Sequence, residues 1–570
     1  MKVSDYIVKF LESCDIEYVF GYQGGMITHL VDSLSKSRKV KFVQCYHEQS
    51  AAFAAEGYAR ESGKFGVCIT TSGPGATNTV TGIGNAYFDS VPVLYITGQV
   101  NTHEYKYESK IRQRGFQETD IVSIVGPIVK SAKLADDPLK VARILEESVR
   151  MMLSGRKGPV LIDLPMDVQR HELSDDSELP CCSCRTGSYG IEACDIRKVL
   201  DALNEAERPL VICGGGLSGS GARSAAAAFL KRTRIPYAVS LMGKGSVSED
   251  EAGFAGMIGS YGNRVANLVF SESDLVLCFG TRLDLRQTGN RESALLKKIR
   301  FIRIDVDGRE LEGNPLPNQM CVHADVSAFL ESSAVMECGY VAPVDWCDRV
   351  AHLKKVRSQR EDVRLHAQNR TPYTMMETIS SCAPDDAIFF VDIGQNQMWA
   401  AQMLKCGSGR GFMTSGGMAP MGYAVPAAVG ASFANPRRRV ICICGDGGLH
   451  ISLQSLMLIS QYRLPVTVIV FNNRALGMIT QFQNLYFGGN LAGTTESGGY
   501  CVPDFKHIAL AYQLNYRHIG AGEVITSEML EERTLVEIDV GERTVVVPKL
   551  EFNKTLDDMT PAWSVSCGGR

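Results

Sequence analysis

Apolar runs that end in glycine or a small polar turn, each followed by a helix-like segment, recur along the whole chain. FVQCY (42–46), FGVCIT (65–70), VPVLYIT (91–97) and PVLIDLP (159–165) come first. PLVICGGG, DLVLCFG (274–280) and FIRIDVD (301–307) follow, and AIFFVDIG (387–394), RVICICGDG (439–447) and PVTVIVFNN (465–473) come last. Strands that alternate with helices in this way build parallel sheets with crossover helices. The 570 residues exceed what one hydrophobic core holds. The expected fold is therefore α/β, with three doubly wound parallel-sheet domains at 1–171, 191–340 and 372–570, the last carrying a C-terminal tail. Polar stretches at 172–190 and 341–371 read as the connections. No short-period repeat is visible.

Charge and composition exclude several classes. The net charge is -4, and no Lys/Arg run points to nucleic acid or to an acidic membrane surface. No apolar stretch is long enough to span a bilayer. The N-terminus, MKVSDYIVKFLESCDIEYVFGY, reads as an amphipathic helix and a strand rather than a signal peptide. The 18 cysteines are scattered, and Cys68, Cys213, Cys278, Cys442 and Cys444 sit inside apolar runs as small core residues. This pattern fits a cytoplasmic protein without disulfides. Cys181, Cys182 and Cys184 cluster in the first connection but lack a fourth ligand at zinc spacing, so they read as linker.

The most informative element is the run strand–Gly445-Asp446-Gly447–helix–strand–Asn472-Asn473. One crossover places Asp446 and Asn473 at the carboxyl ends of two strands, on one rim of a sheet. An acidic and an amide oxygen there suit Mg²⁺, which binds through few protein ligands plus a diphosphate. Gly447 and Gly448 let backbone N–H groups approach phosphate at a helix start. A second candidate is Glu48 in QCYHEQSAAFAAEGYAR. Alone it reads as a carboxylate that is favourable at a helix N-terminus; beside the first element it becomes a candidate acid–base group.

These motifs do not stand alone. FGYQGG (20–25), HEQSAAFAAEGYAR (47–60), TTSGPGATN (70–78), FQETDIV (116–122), GPVLIDLPMDV (158–168), SGGMAPMGYAVPAA (415–428), CGDGG (444–448) and FNNRALGM (471–478) run in one order across most of the chain. Together they resemble the thiamine-diphosphate-dependent enzymes, and among them the acetohydroxyacid (acetolactate) synthases. The resemblance implies a pyrimidine-binding first domain, a central flavin-binding-like domain and a diphosphate-binding last domain. It implies that Glu48 bonds the aminopyrimidine ring and favours its imino tautomer, and that Asp446, Asn473 and the Ala475 carbonyl hold Mg²⁺. Gln395, Asn396, Gly447, Gly448, Gly477 and Met478 would line the diphosphate, and Met421 would support the bent cofactor. Glu48 and the diphosphate site come from different subunits in that family, so a homodimer or homotetramer is implied.

The middle block carries Gly214-Gly215-Gly216, Met242-Gly243, Gly259, Gly280, Arg282, Asp284, Arg286, Asp305 and Asp325. With Arg156 of the first block, these resemble the family's FAD site. Bound FAD is expected, in a structural role, because the reaction has no net redox step. Other positions depart from the synthase pattern. Gln23 replaces a proline, Met26 a small residue, Asn396 a histidine and Phe482 the acceptor-selecting tryptophan; Ala419 and Pro420 alter the approach to Met421. Gln23, Met26 and Phe482 are therefore the expected acceptor pocket.

The function implied is decarboxylation of a 2-keto acid, pyruvate, and carboligation of the two-carbon unit to an acceptor carbonyl. Alternatives are ligation onto a non-keto-acid ketone such as a keto-deoxysugar in polysaccharide synthesis, a simple decarboxylase, or an oxidase that reduces FAD. A binding relative without catalysis is the non-enzyme alternative, and the joint presence of Glu48, Asp446 and Asn473 argues against it.

Overall fold

The computed structural model describes residues 1–174, 189–291, 293–366, 370–407, 409–520 and 522–562. The cysteines at 181, 182 and 184, most of the first connection and the last eight residues lie outside the described residues. Three six-stranded sheets, parallel throughout, organise the rest. The first holds β1 (Tyr18–Tyr22), β2 (Lys41–Gln44), β3 (Gly66–Thr70), β4 (Val93–Gln99), β5 (Ser131–Leu134) and β6 (Val160–Pro165). The second holds β7 (Pro209–Cys213), β8 (Tyr237–Val239), β9 (Phe254–Met257), β10 (Leu275–Phe279), β11 (Arg300–Asp305) and β12 (Gln319–His323). The third holds β13 (Ile388–Val391), β14 (Gly411–Met413), β15 (Val440–Gly445), β16 (Val466–Asn472), β17 (Asn515–Ile519) and β18 (Thr534–Asp539).

Strand order locates the sites. The first sheet runs β2-β1-β3-β4-β6-β5 and the third β14-β13-β15-β16-β18-β17, so the two share one topology. In each, the order reverses between the first and third strands, and ligands of open α/β sheets bind at such switch points. The middle sheet runs β12-β11-β10-β7-β8-β9. Counted within the domain this is the 3-2-1-4-5-6 order of dinucleotide-binding sheets, with its switch point between β7 and β10.

The first and third domains share a core built around two helices, Glu48–Ser62 and Ala424–Ala434. Both are rich in alanine and glycine, and the second is buried along nearly its whole length. An added Cβ at Gly57 would lie 1.9 Å from the Ala427 carbonyl oxygen, and one at Gly430 would lie 1.8 Å from that of Ala54. Only glycine permits this approach. Gly63 at φ +71 ends the first helix in the left-handed conformation.

The second connection is helical over Val344–Val356 and Gln359–His366 and packs on the middle domain, where Trp346 Nε1 donates to Pro209 O at 2.9 Å. The segment after β18 also returns to the middle domain. Leu550 N donates to Ser260 O at 2.6 Å, and Leu556 joins Leu283 and Trp346 in the middle core. Its first apolar residues, Val540, Val546 and Val547, are buried in the cluster that includes Ile443 and Phe471 of the third sheet, and the later ones are covered by the middle domain. All cysteines of the described residues are free thiols. No helix among the described residues is long and apolar enough to cross a membrane.

Candidate active site

At the third sheet's switch point, β13 and β15 pair in register, Ile443 opposite Val391, and β15 pairs with β16, Gly445 opposite Phe471. The residues just beyond these strand ends converge. Asp446 Oδ1 accepts from Gly447 N–H at 2.6 Å, and Oδ2 accepts from Arg474 N–H at 2.8 Å. Asn473 Nδ2 donates to Gln395 Oε1 at 3.2 Å, and Ala475 N–H donates to Asn473 Oδ1 at 3.2 Å. A Cβ on Gly477 would lie 2.1 Å from Gln395 Oε1 and 2.6 Å from Asn473 Nδ2. A Cβ on Gly447 would lie 3.0 Å from Met421 Cε. Asp446, Asn473, Ala475, Gln395, Met421, Gly447 and Gly477 thus form one cluster, with Met478 next along the Gly477 helix.

Asn396 lies against the strand end before Asp446, its Oδ1 3.3 Å from where a Cβ on Gly445 would stand. It is buried, and its amide donates to Asp392 O at 2.7 Å beneath the rim. Gly448 faces the same region: a Cβ there would lie 3.0 Å from Asp392 Oδ1. Asp392 was not singled out from sequence. Its fully buried carboxylate accepts from the N–H groups of Ile393, Gly422 and Ala424 at 2.7, 3.0 and 3.0 Å, and burial pushes its pKa up to about 6. It thereby fixes the turn that presents Met421. Tyr500 is a second unanticipated residue; its hydroxyl donates to Asp446 Oδ1 at 2.8 Å.

Asp446 is 2% exposed, and burial pushes its carboxyl pKa above the ordinary range. Among the described residues no lysine or arginine side chain pairs with it. A buried carboxylate without a counter-charge, set among amide and carbonyl oxygens and bare glycines, fits a hard divalent cation bridging to phosphate.

Glu48 sits at the first sheet's switch point. It does not cap its helix: His47 does, its Nδ1 accepting from Gln49 N–H at 3.1 Å. The Glu48 carboxylate is buried, accepts from Asn78 Nδ2 at 2.9 Å and faces Gly75, where a Cβ would lie 3.4 Å away. Held by that one amide donor, the carboxylate is placed to hydrogen-bond a ring set against it.

The middle sheet's switch point opens into a cavity of about 550 Å³. Eleven of the thirteen residues expected at a flavin line it, from Arg156 to Asp325. Gly214 and Gly243 stand behind the wall, where a Cβ would lie 2.2 Å from Gly280 O and 2.0 Å from Cys213 O respectively. Their glycines serve strand-end packing. The cavity also reaches Thr414, Gly416 and Gly417 in the loop that leads to Met421.

The acceptor residues are not brought together within the chain. Gln23 is exposed and bonds Gln44 and Thr28, while Met26 N–H donates to Thr71 Oγ1 at 3.1 Å. Phe482 lies on the Gly477–Tyr486 helix of the third domain, packed on Tyr486 and Phe487 and 43% exposed.

A dinucleotide-ordered sheet together with two sheets that share a second topology, each with polar residues gathered at its switch point, defines a multidomain α/β protein with ligand sites at its strand ends. Three family models match in the same order. They are the N-terminal TPP binding domain of thiamine pyrophosphate enzymes over residues 1–124, the central domain over 196–332 and the C-terminal TPP binding domain over 392–539. The acetolactate synthase of Arthrospira platensis is 35% identical over 537 residues, covering 90% of this chain and 89% of the relative. The acetolactate synthase large subunit of Lactococcus lactis is 32% identical over 570 residues, covering 98% and 95%. The acetolactate synthase isozyme 2 large subunit of Escherichia coli is 34% identical over 520 residues, covering 91% of each. The chain belongs to the thiamine pyrophosphate enzyme family.

Proposed function

We propose that the protein decarboxylates pyruvate with thiamine diphosphate and joins the remaining two-carbon unit to an acceptor carbonyl, as the names of its acetolactate synthase relatives indicate for them. The observation that carries the reading is the cluster at the β13–β15 switch point, where a buried Asp446 without a cationic partner among the described residues stands with Asn473, Gln395 and Gly447. Thiamine diphosphate, when bound, supplies an acidic ring carbon that adds to the keto acid and takes up the electrons released with CO₂.

The chain's own residues do the rest. Asp446, Asn473 and the Ala475 carbonyl would hold Mg²⁺, with the backbone at Gly447 and Gly477 lining the phosphates. Met421, held by the turn that Asp392 fixes, would bear on the cofactor's rings. Glu48 would hold the proton that the aminopyrimidine gives and takes. FAD is proposed for the 550 Å³ cavity of the middle domain. Because Glu48 and the Asp446 cluster lie on separate switch points, and Gln23 and Met26 are apart from Phe482, we take the complete site to form between two copies of the chain.

Pyruvate is the simplest acceptor. A larger, more polar ketone such as a keto-deoxysugar is favoured by one observation: Phe482 is smaller than the tryptophan that the resemblance places there, and Gln23 is polar where it places proline. Incubation with ¹³C-pyruvate and a panel of ketones, followed by mass spectrometry, tests the reading. A labelled carbon–carbon bond is expected. Free acetaldehyde alone, or acetate with peroxide, would replace carboligation by decarboxylase or oxidase chemistry.

A further inference from the structure

The segment between the Gly477–Tyr486 helix and the helix Phe505–Ala511 returns to the carboxyl edge of the third sheet. Its path is pinned at several points. Leu476 N–H donates to Thr494 O at 2.9 Å, Thr494 Oγ1 donates to Gln483 Oε1 at 2.6 Å, and Gln483 Nε2 donates to Ala492 O at 3.1 Å. Gly499, at φ +97, then turns the chain, and Tyr500 N–H donates back to Thr495 O at 2.9 Å. The result sets the Tyr500 hydroxyl against Gly447, 2.9 Å from where a Cβ would stand, beside Met421 Cε at 3.0 Å and Leu476 Cδ2 at 3.1 Å.

The hydrogen bonds of Asp446 give this placement a chemical meaning. Each carboxylate oxygen has about two lone-pair directions. Oδ1 receives two donors, Gly447 N–H at 2.6 Å and Tyr500 O–H at 2.8 Å. Oδ2 receives Arg474 N–H at 2.8 Å. The side chain is thus held in one rotation, with Oδ1 carrying the Gly447 and Tyr500 donors and Oδ2 turned to the Arg474–Ala475 backbone, beside the other expected cation ligands.

We propose that Tyr500 is a positioning residue of the cation–diphosphate site. Its hydroxyl fixes which oxygen of Asp446 meets the divalent cation, and its segment covers Gly447 where the phosphates bind. The inference rests on the cofactor reading above and adds to it a residue from a distant loop. Partners that orient a metal ligand are worth about 10–100-fold in metal affinity, and that is the effect expected here.

The experiment uses full-length protein stripped of cofactor with a chelator. Mg²⁺ is titrated at fixed thiamine diphosphate, read by tryptophan fluorescence in a Trp346→Phe, Trp563→Phe background that leaves Trp399, on the helix that begins at Gln395, as the reporter. In Tyr500→Phe the Mg²⁺ needed for half-saturation should rise about 10–100-fold, and the rise in melting temperature on adding both ligands should shrink. The melting temperature without ligands should stay close to wild type. On an Asp446→Asn background, Tyr500→Phe should add nothing. Thr494→Val, which loosens the segment without touching Asp446, should shift the titration in the same direction by less, and it decides the matter if Tyr500→Phe fails to fold. An unchanged Mg²⁺ titration, or equal losses of melting temperature with and without ligands, would overturn the proposal. If wild-type protein itself shows no Mg²⁺-dependent binding of thiamine diphosphate, the cofactor reading falls with it.

Discussion

Replacing Gly57 with alanine should drive apart the two helices that join the first and third domains. The new Cβ would sit 1.9 Å from Ala427 O, 2.6 Å from its carbonyl carbon and 2.8 Å from its Cα, all backbone atoms that no rotamer change can clear. Reaching even a 3.0 Å contact requires the backbones to separate by about 1.1 Å at the crossing. A gap of that size forfeits roughly a quarter to a half of each dispersion contact beside it. Overpacking a tight core costs about 1–3 kcal/mol, occasionally more, and the absence of any yielding side chain places Gly57→Ala at about 3 kcal/mol on that scale. Glu48 opens the same helix, so its carboxyl would shift by a comparable distance. A misplacement of about 1 Å can cost on the order of 10²-fold in rate. The assay pairs urea unfolding with pyruvate turnover. The control is Gly126→Ala, where an added Cβ meets nothing within 4 Å and stability should hold. If Gly57→Ala unfolds at the wild-type urea midpoint and turns over normally, the crossing is not as tight as argued and the reasoning fails.

Asp446→Ala should abolish retention of thiamine diphosphate through gel filtration, since the bridging cation loses its charged ligand; full occupancy would defeat the assignment. Glu48→Gln should retain the cofactor yet lose roughly 10²–10⁴-fold in turnover, and near-normal rates would return Glu48 to a structural role. Phe482→Trp should move acceptor preference toward 2-ketobutyrate by about 1–3 kcal/mol, read by competition between ketones; a fall in decarboxylation with an unchanged acceptor profile would make Phe482 a cofactor support instead. Asp163, buried and bonded by Thr97 and Gln99, is pushed up to about 7 by that burial. The folded chain keeps its proton where the unfolded chain, near ~3.9, has lost it. This stabilisation is full below about pH 4 and is lost as pH rises through 7. Asp163→Asn should flatten the decline of the urea midpoint across that window, and a slope identical to wild type would remove Asp163 as its source.

Central strands were readable because both faces are covered: Ile388–Val391 and Val440–Gly445 are almost wholly apolar and buried. Of the edge strands, Lys41–Gln44 was readable, but two others were not. Ser131–Leu134 is half-buried throughout, and Asn515–Ile519 buries only its last residue, so neither shows an apolar run. The cation rim was legible because Asp446 and Asn473 directly follow readable strands. Asp392 also follows one, yet a carboxylate whose partners are backbone N–H groups leaves no side-chain pattern to find. Tyr500 reaches Asp446 only through a loop returning across 54 positions, a distance local motifs do not cover. The grouping of Gln23, Met26 and Phe482 came from resemblance, and Phe482 packs instead on Tyr486 and Phe487 of its own domain.

The duplication of the first and third domains also went unread, although its trace is in the sequence. Ala54-Ala55-Glu56-Gly57 and Ala427-Ala428-Val429-Gly430 share the pattern Ala-Ala-x-Gly. Each lies on the helix that follows the second strand of its sheet, β2 in one case and β14 in the other. Gly57 meets the carbonyl of Ala427, three residues before Gly430, and Gly430 meets that of Ala54, three residues before Gly57. Such a reciprocal contact is what a two-fold axis imposes on a self-complementary surface. The first and third domains therefore pack within the chain as two copies of one unit would pack in a dimer. The copies have diverged at their rims. After its third strand the third domain presents Gly445-Asp446-Gly447, and the first presents Thr71-Ser72-Gly73-Pro74-Gly75, a turn with no acidic group for a cation. After its second strand the first domain presents Glu48, whereas the third presents the turn that carries Met421. On the proposed reading, one copy keeps the diphosphate and the other keeps the proton-bearing carboxyl. Neither rim is then a complete site, and the cofactor must lie where a first-domain rim and a third-domain rim face each other.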